Sequence, residues 1–199
     1  TANADSLSCY ESDDGEISIS FTGGIAPFTF DWLGPNTSLT QNSNVRFSNI
    51  TNLTIGTYFL RIEDENECLA FDTITVSQPN PLQSYIVIAS NPLCNDSSDA
   101  YGSISVSGGA EPYQYSWNEV GSSIVLSVDS SISNVSAGTY EAFITDANGC
   151  QDNIEVIFEE PSVVVLQVVN VDSNLCAGDS LGSITLSAYG GTPNYVTYF

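Results

Sequence analysis

The stretch YGSISVSGGAEPYQYSW, residues 101–117, decides the fold. Ile104 and Val106 alternate with serines, so in an extended chain the apolar side chains share one face and the hydroxyls the other. Gly108-Gly109 ends that segment. After Pro112, Tyr113, Tyr115 and Trp117 again share a face. Two half-buried strands around a glycine turn are the start of an antiparallel sheet.

The stretch is written more than once. Upstream, Ile17, Ile19 and Phe21 lead to Gly23-Gly24, Pro27 and the row Phe28, Phe30, Trp32. Downstream, Ile184 and Leu186 lead to Gly190-Gly191 and Pro193, with one residue missing before the proline, so the register there stays open. Each copy opens on a cysteine, Cys9, Cys94 and Cys176, spaced 85 and then 82 residues. The first two copies continue to Gly56-Thr57-Tyr58 and Gly138-Thr139-Tyr140, then to Asp64-x-Asn66-x-Cys68 and Asp146-x-Asn148-x-Cys150. A period this long is a small domain, not a solenoid turn. The expected domains are residues 1–79, a first copy short at its N-terminus; 80–160, a complete second; and 161–199, a partial third. Pro79-Asn80-Pro81 and Glu159-Glu160-Pro161 read as short, stiff junctions, because proline fixes φ and donates no hydrogen bond.

In the second copy the pattern predicts strands at about 83–89, 102–107, 113–117, 124–128, 131–134, 138–145 and 153–158, separated by Ser, Gly, Asn and Asp turns. Seven short strands in some 80 residues predict an all-β chain of tandem, immunoglobulin-like, antiparallel β-sandwich domains. Trp32 and Trp117 then read as core residues. Tyr58 and Tyr140 read as tyrosine corners, whose hydroxyls bond the backbone upstream. The rival reading of the aromatic rows is an exposed platform that stacks on sugar rings.

Composition excludes several classes of function. Against 24 acidic residues stand only Arg46 and Arg61, a net charge of −22 with no lysine or histidine. Nucleic acid, which demands basic grooves, is excluded as a partner. Such a charge suits a soluble protein in a salty or cation-rich medium. No run approaches the roughly 18 apolar residues that span a bilayer. The absence of Met and the halt inside a third copy suggest a segment of something longer. No histidine is present to act as general base, no lysine to form a Schiff base, and the serines have no triad partner. Carboxylates are abundant, but nothing singles out one pair for glycoside hydrolysis, so the chain reads as no enzyme.

Cysteines that open and close each copy suggest the disulfides Cys9–Cys68 and Cys94–Cys150, and with them an oxidising, extracellular location. Those bonds would bring acidic loops together. Asp13, Asp14, Glu63 and Asp64 become a candidate calcium site, with a weaker one at Asp96, Asp99 and Asp146. The alternative is that Asp64-x-Asn66 and Asp146-x-Asn148 are hairpin turns on a solvated acidic surface. Calcium is the only cofactor these residues suggest.

The second copy resembles the SprB repeat family almost throughout, in Cys94, Gly102-Ser103-Ile104, Gly108-Gly109, Pro112-Tyr113-Gln114-Tyr115-Ser116-Trp117, Gly138-Thr139-Tyr140 and Asp146-Ala147-Asn148-Gly149-Cys150. The first departs mildly, with Gly15-Glu16-Ile17, Phe28 and Phe30 for the tyrosines, and Glu67 for the glycine. The third is similar through Gly182-Ser183-Ile184. The resemblance implies a very large, repetitive cell-surface protein of gliding or filamentous Bacteroidetes-type bacteria, exported by the type IX system and working in adhesion and surface motility. This chain would then be a rod segment of an extracellular adhesin or filament. Its partners would be other repeats of the same chain, laterally bundled copies in a filament, or a surface polysaccharide or other cell-surface ligand. The alternative is a carbohydrate-binding module using exposed aromatics.

Overall fold

A computed structural model of the chain describes residues 1–173, 176, 178, 180 and 182–196, so residues 174, 175, 177, 179, 181 and 197–199 of the expected third copy lie outside it. Among the described residues every regular element is a strand. The first copy contains β1 (Ala2–Asp5), β2 (Gly15–Ser20), β3 (Phe28–Gly34), β4 (Thr37–Ser43), β5 (Phe47–Leu53), β6 (Gly56–Glu63) and β7 (Leu69–Val76). The second contains β8 (Gln83–Ser90), β9 (Ala100–Ser107), β10 (Gln114–Glu119), β11 (Val125–Ser127), β12 (Ser131–Val135), β13 (Gly138–Thr145) and β14 (Gln151–Phe158). In the third are β15 (Val165–Asp172) and β16 (Ser183–Tyr189).

The topology repeats with the sequence. Strands β1-β2-β5 form one sheet of the first copy and β4-β3-β6-β7 the other; β12-β9-β8 and β11-β10-β13-β14 are their counterparts in the second. This is the antiparallel, immunoglobulin-like sandwich. The apolar faces predicted from alternation close the core of the first copy. Ile17 and Ile19 of β2 and Ile50 and Leu53 of β5 cluster with Phe28, Phe30 and Trp32 of β3, Tyr58 and Leu60 of β6, and Ile74 and Val76 of β7. The second copy buries Ile104, Trp117, Ile132, Tyr140, Ala142, Ile144, Val156 and Phe158. Asn52 and Asn134 take positive φ where the registers of β5 and β12 slip. Asparagine tolerates that left-handed geometry better than other side chains.

The third copy departs from expectation. Ile184, predicted to face a core, is 65% exposed. Among the described residues β15 pairs only with β16, and no opposing sheet covers them. By density of contact the chain divides into two compact units. One is Thr1–Ser84 with Val106–Gln114 and Ile144–Asp152, and the other is Tyr85–Ser105 with Tyr115–Phe143 and Asn153–Phe199.

Candidate functional site: a cysteine junction within the first unit

The first unit contains both Cys9 and Cys150, and they are bonded to one another, 141 residues apart in sequence, with their Cα atoms 5.6 Å apart. This corrects the pairing expected from copy boundaries: Cys9 does not bond Cys68, and Cys94 does not bond Cys150. Cys68, Cys94 and Cys176 are exposed free thiols. The bond joins the opening cysteine of one copy to the closing cysteine of the next.

The opening cysteine sits in a loop organised by its own hydroxyls and carboxylate. Asp14 Oδ1 accepts the Ser8 backbone N–H at 3.1 Å and the Ser12 hydroxyl at 2.5 Å, while Ser12 Oγ receives the Cys9 N–H at 3.4 Å. Donation from Ser12 first, and then from Ser8, lowers the Asp14 carboxyl from 3.8 to about 2. Glu11 adopts positive φ in this loop, and its N–H reaches the Gln78 side chain at 3.0 Å.

The closing cysteine sits on a hairpin organised by one buried carboxylate. Asp146 Oδ1 accepts the N–H groups of Asn148 at 2.9 Å and Cys150 at 2.8 Å, and its Oδ2 accepts that of Ala110 at 2.9 Å. Burial pushes this carboxyl up, but donation from Ala110, Cys150, Asn148 and Gly149 outweighs it and holds the group below its usual range. The second glycine of the Gly-Gly pair is what admits the carboxylate. A Cβ on Gly109 would come within 2.7 Å of Asp146 Oδ2, at φ +60. The first copy repeats the device. Asp64 serves Asn66, Cys68 and Ile25, and Gly24 stands beside it.

Hairpin and loop meet at Ser8. Its carbonyl accepts the Asn148 side-chain N–H at 2.9 Å, and Cys150 Sγ lies 3.4 Å from the same oxygen. A recess of about 400 Å3 remains beside the bond, lined by Cys9, Tyr10, Pro79, Pro81, Gly109 and Cys150 among others. Spacing could not reveal this pairing, because Cys9–Cys68 and Cys9–Cys150 both join an opening to a closing cysteine. Nor did the motif reading find Ser8 or the Gly-Gly-to-Asp contact, although the constant company of the two motifs was a usable signal.

The expected calcium ligands are otherwise engaged. Asp14, Asp64 and Asp146 bond loop hydroxyl and N–H groups as described, and Asp99 repeats the role of Asp14 with Ser97 and Leu93. The convergence of Asp13, Asp14, Glu63 and Asp64 rested on a Cys9–Cys68 bond that does not form. Among the described residues no three acidic or cysteine side chains gather where a metal ion could be held, which applies equally to Asp96, Asp99 and Asp146.

The first aromatic row is interior, whereas in the second Trp117 is buried and Tyr113 and Tyr115 are half-buried. Trp32 and Trp117 are 2% and 0% exposed, and their indole N–H groups donate to Ser48 Oγ and to the Asp129 carbonyl, each at 3.0 Å. Tyr58 and Tyr140 are buried too, with hydroxyls donating to the carbonyls of Thr54 and Ser136, four residues upstream. The third copy's register also becomes legible. The Tyr195 hydroxyl donates to the Gly190 carbonyl as that of Tyr113 does to Gly108, so Tyr195 occupies the place of Tyr113.

Among solved structures, an amphioxus IgVJ-C2 molecule is 13% identical, covering 75% of this chain and 98% of its own, with a TM-score of 0.34. The first two immunoglobulin domains of DIP-gamma are 14% identical, covering 79% and 97%, with a TM-score of 0.36. A C-terminal fragment of intimin, solved with the intimin-binding domain of its translocated receptor, is 13% identical, covering 83% and 65%, with a TM-score of 0.40. No curated protein matches the chain. The SprB repeat matches three times, over residues 1–37, 86–122 and 168–198, together more than half of the sequence. This chain belongs to the SprB repeat family.

Proposed function

We propose that this chain is a structural segment of an extracellular adhesin or surface filament, in which tandem SprB sandwiches transmit tension and hold an adhesive element at a distance. Each copy of roughly 80 residues is the folding unit, and an exported, surface-attached parent protein carries it in adhesion and surface motility. One observation carries the reading: the Cys9–Cys150 bond ties consecutive copies covalently. Force applied to the two ends therefore bypasses everything between those residues. Such a bond also belongs to an oxidising compartment. Burial of Trp32 and Trp117 weighs against the sugar-platform alternative.

Single-molecule pulling on the intact chain tests the proposal. The 141-residue span inside the disulfide, roughly 50 nm when extended, stays closed until reductant is added. If that length is released before reduction, the segment is no tension-bearing tie. A panel of surface polysaccharides serves the alternative reading, and saturable binding lost on substituting Tyr113 or Tyr115 would favour it.

A further inference from the structure

We infer that the Cys9–Cys150 bond is one rung of a ladder, and that Cys94 is the docking point for the closing cysteine hairpin of the SprB copy that follows the second in one continuous polypeptide. The basis is that the residue equivalent to Cys94 is already bonded in this structure, and that the hydrogen-bond pattern of its loop is repeated around Cys94.

Around Cys9, Asp14 accepts from Ser8 N–H and Ser12 hydroxyl; around Cys94, Asp99 accepts from Leu93 N–H at 3.2 Å and Ser97 hydroxyl at 2.5 Å. The Cys9 N–H reaches Ser12 Oγ, and the Cys94 N–H reaches Ser97 Oγ at 3.3 Å. Glu11 and Asp96 share a φ of 59. Their N–H groups bond the side chains of Gln78 and Glu160, which stand one and the same step before the prolines Pro79 and Pro161.

The far side of the junction is repeated as well. The Gly109 N–H donates to the Asn80 carbonyl at 3.1 Å, and the Gly191 N–H donates to the Ser162 carbonyl at 2.6 Å. On the N-terminal side of Cys94, a recess of about 390 Å3 is lined by Asn91-Pro92-Leu93, Glu159-Glu160-Pro161 and Thr192. The complementary half is also present in duplicate. The Asp64 hairpin presents Cys68 with the backbone bonds by which the Asp146 hairpin presents Cys150. In this register Cys68 is the closing partner for an opening cysteine one copy upstream.

Chemically, the rung forms by two exchanges with an oxidised small disulfide such as glutathione disulfide. The Cys94 thiolate attacks it, forming a mixed disulfide and releasing one glutathione thiolate. The closing cysteine's thiolate then attacks the Cys94 sulfur and releases the second. Two protein thiols are oxidised, one glutathione disulfide is reduced, and two protons leave.

The test has two arms, both read by alkylation and peptide mapping after equilibration with reduced and oxidised glutathione. In the first, the chain is extended past Phe199 with a second copy of residues 118–158, which completes the third repeat in the register set by Tyr195. Two bonds are expected, Cys9–Cys150 and Cys94 to the appended counterpart of Cys150, with Cys68 and Cys176 alkylated. A bond between Cys176 and the appended cysteine would overturn the ladder, as would an alkylated Cys94. In the second arm, Cys9→Ser is made in the 199-residue chain. All four remaining cysteines, five less the one replaced, are then alkylated, because Cys150 is not presented to Cys94. Loss of two of those labels to a Cys94–Cys150 bond contradicts the proposal without requiring any new segment to fold.

Discussion

Asp146 accepts the Ala110 N–H at 2.9 Å across 36 residues of sequence, so one carboxylate fixes both the closing hairpin and the Gly-Gly loop of the second copy. Asp64 holds Ile25 in the first copy at 3.1 Å in the same way. Asp146 is only 3% exposed, and its removal leaves the partly buried N–H groups of Ala110 and Cys150, and that of Asn148, without their acceptor. Asp146→Ala should cost roughly 2–4 kcal/mol, read from urea denaturation followed through Trp117 fluorescence. The less buried Asp64 should cost less when replaced. Equal midpoints for Asp146→Ala and the parent chain would contradict this role.

The carboxylates also set the acid limit of stability. Asp14, Asp31, Asp64, Asp99 and Asp146 all lie below the usual 3.8, Asp14 at about 2. A carboxyl depressed in the folded state stabilises it above the unfolded value and loses that contribution as pH falls through the folded value. The melting temperature should therefore hold from pH 7 to about 4, where these depressed carboxyls keep their charge. Below that it should fall steeply towards pH 2. A melting temperature unchanged between pH 4 and 2 would show these bonds to be energetically silent.

Trp32→Ala and Trp117→Ala should each destabilise by roughly 3–5 kcal/mol, since both delete a large, fully buried ring. Acrylamide should quench the native fluorescence weakly and the denatured fluorescence strongly. Free quenching of the folded chain would place the rings in solvent and revive sugar stacking.

Gly34→Ala is a sharper probe of packing. A Cβ there would approach the Tyr58 ring to 2.1 Å. Tyr58 is fully buried and its hydroxyl is tied to Thr54 at 2.9 Å, so the ring has little room to yield. The substitution should cost about 1–3 kcal/mol by chemical denaturation, and a neutral result would mean that β3 shifts freely.

Strand identity was readable because period-two alternation is a local property. Ile17, Ile19, Phe28, Phe30 and Trp32 declared their buried faces without knowledge of their neighbours. Ile184 followed the same local pattern, yet it is exposed, because burial needs an opposing sheet that alternation cannot supply. The cysteine pairing failed for a related reason. Repetition makes every opening cysteine locally identical, so the choice between Cys68 and Cys150 for Cys9 depends on which hairpin reaches Ser8. The acidic residues left two readings open because a carboxylate capping a turn and one binding a metal share the same Asp-x-Asn spelling, and the bonds of Asp64 and Asp146 to their own hairpins are those of the turn.

Peptide mapping of the non-reduced 199-residue chain, with free thiols alkylated before cleavage, tests the copy-to-copy tie most directly. The expected result is a single linked pair containing Cys9 and Cys150, with Cys68, Cys94 and Cys176 all labelled. Recovery of Cys9 linked to Cys68, or of Cys94 linked to Cys150, would contradict it.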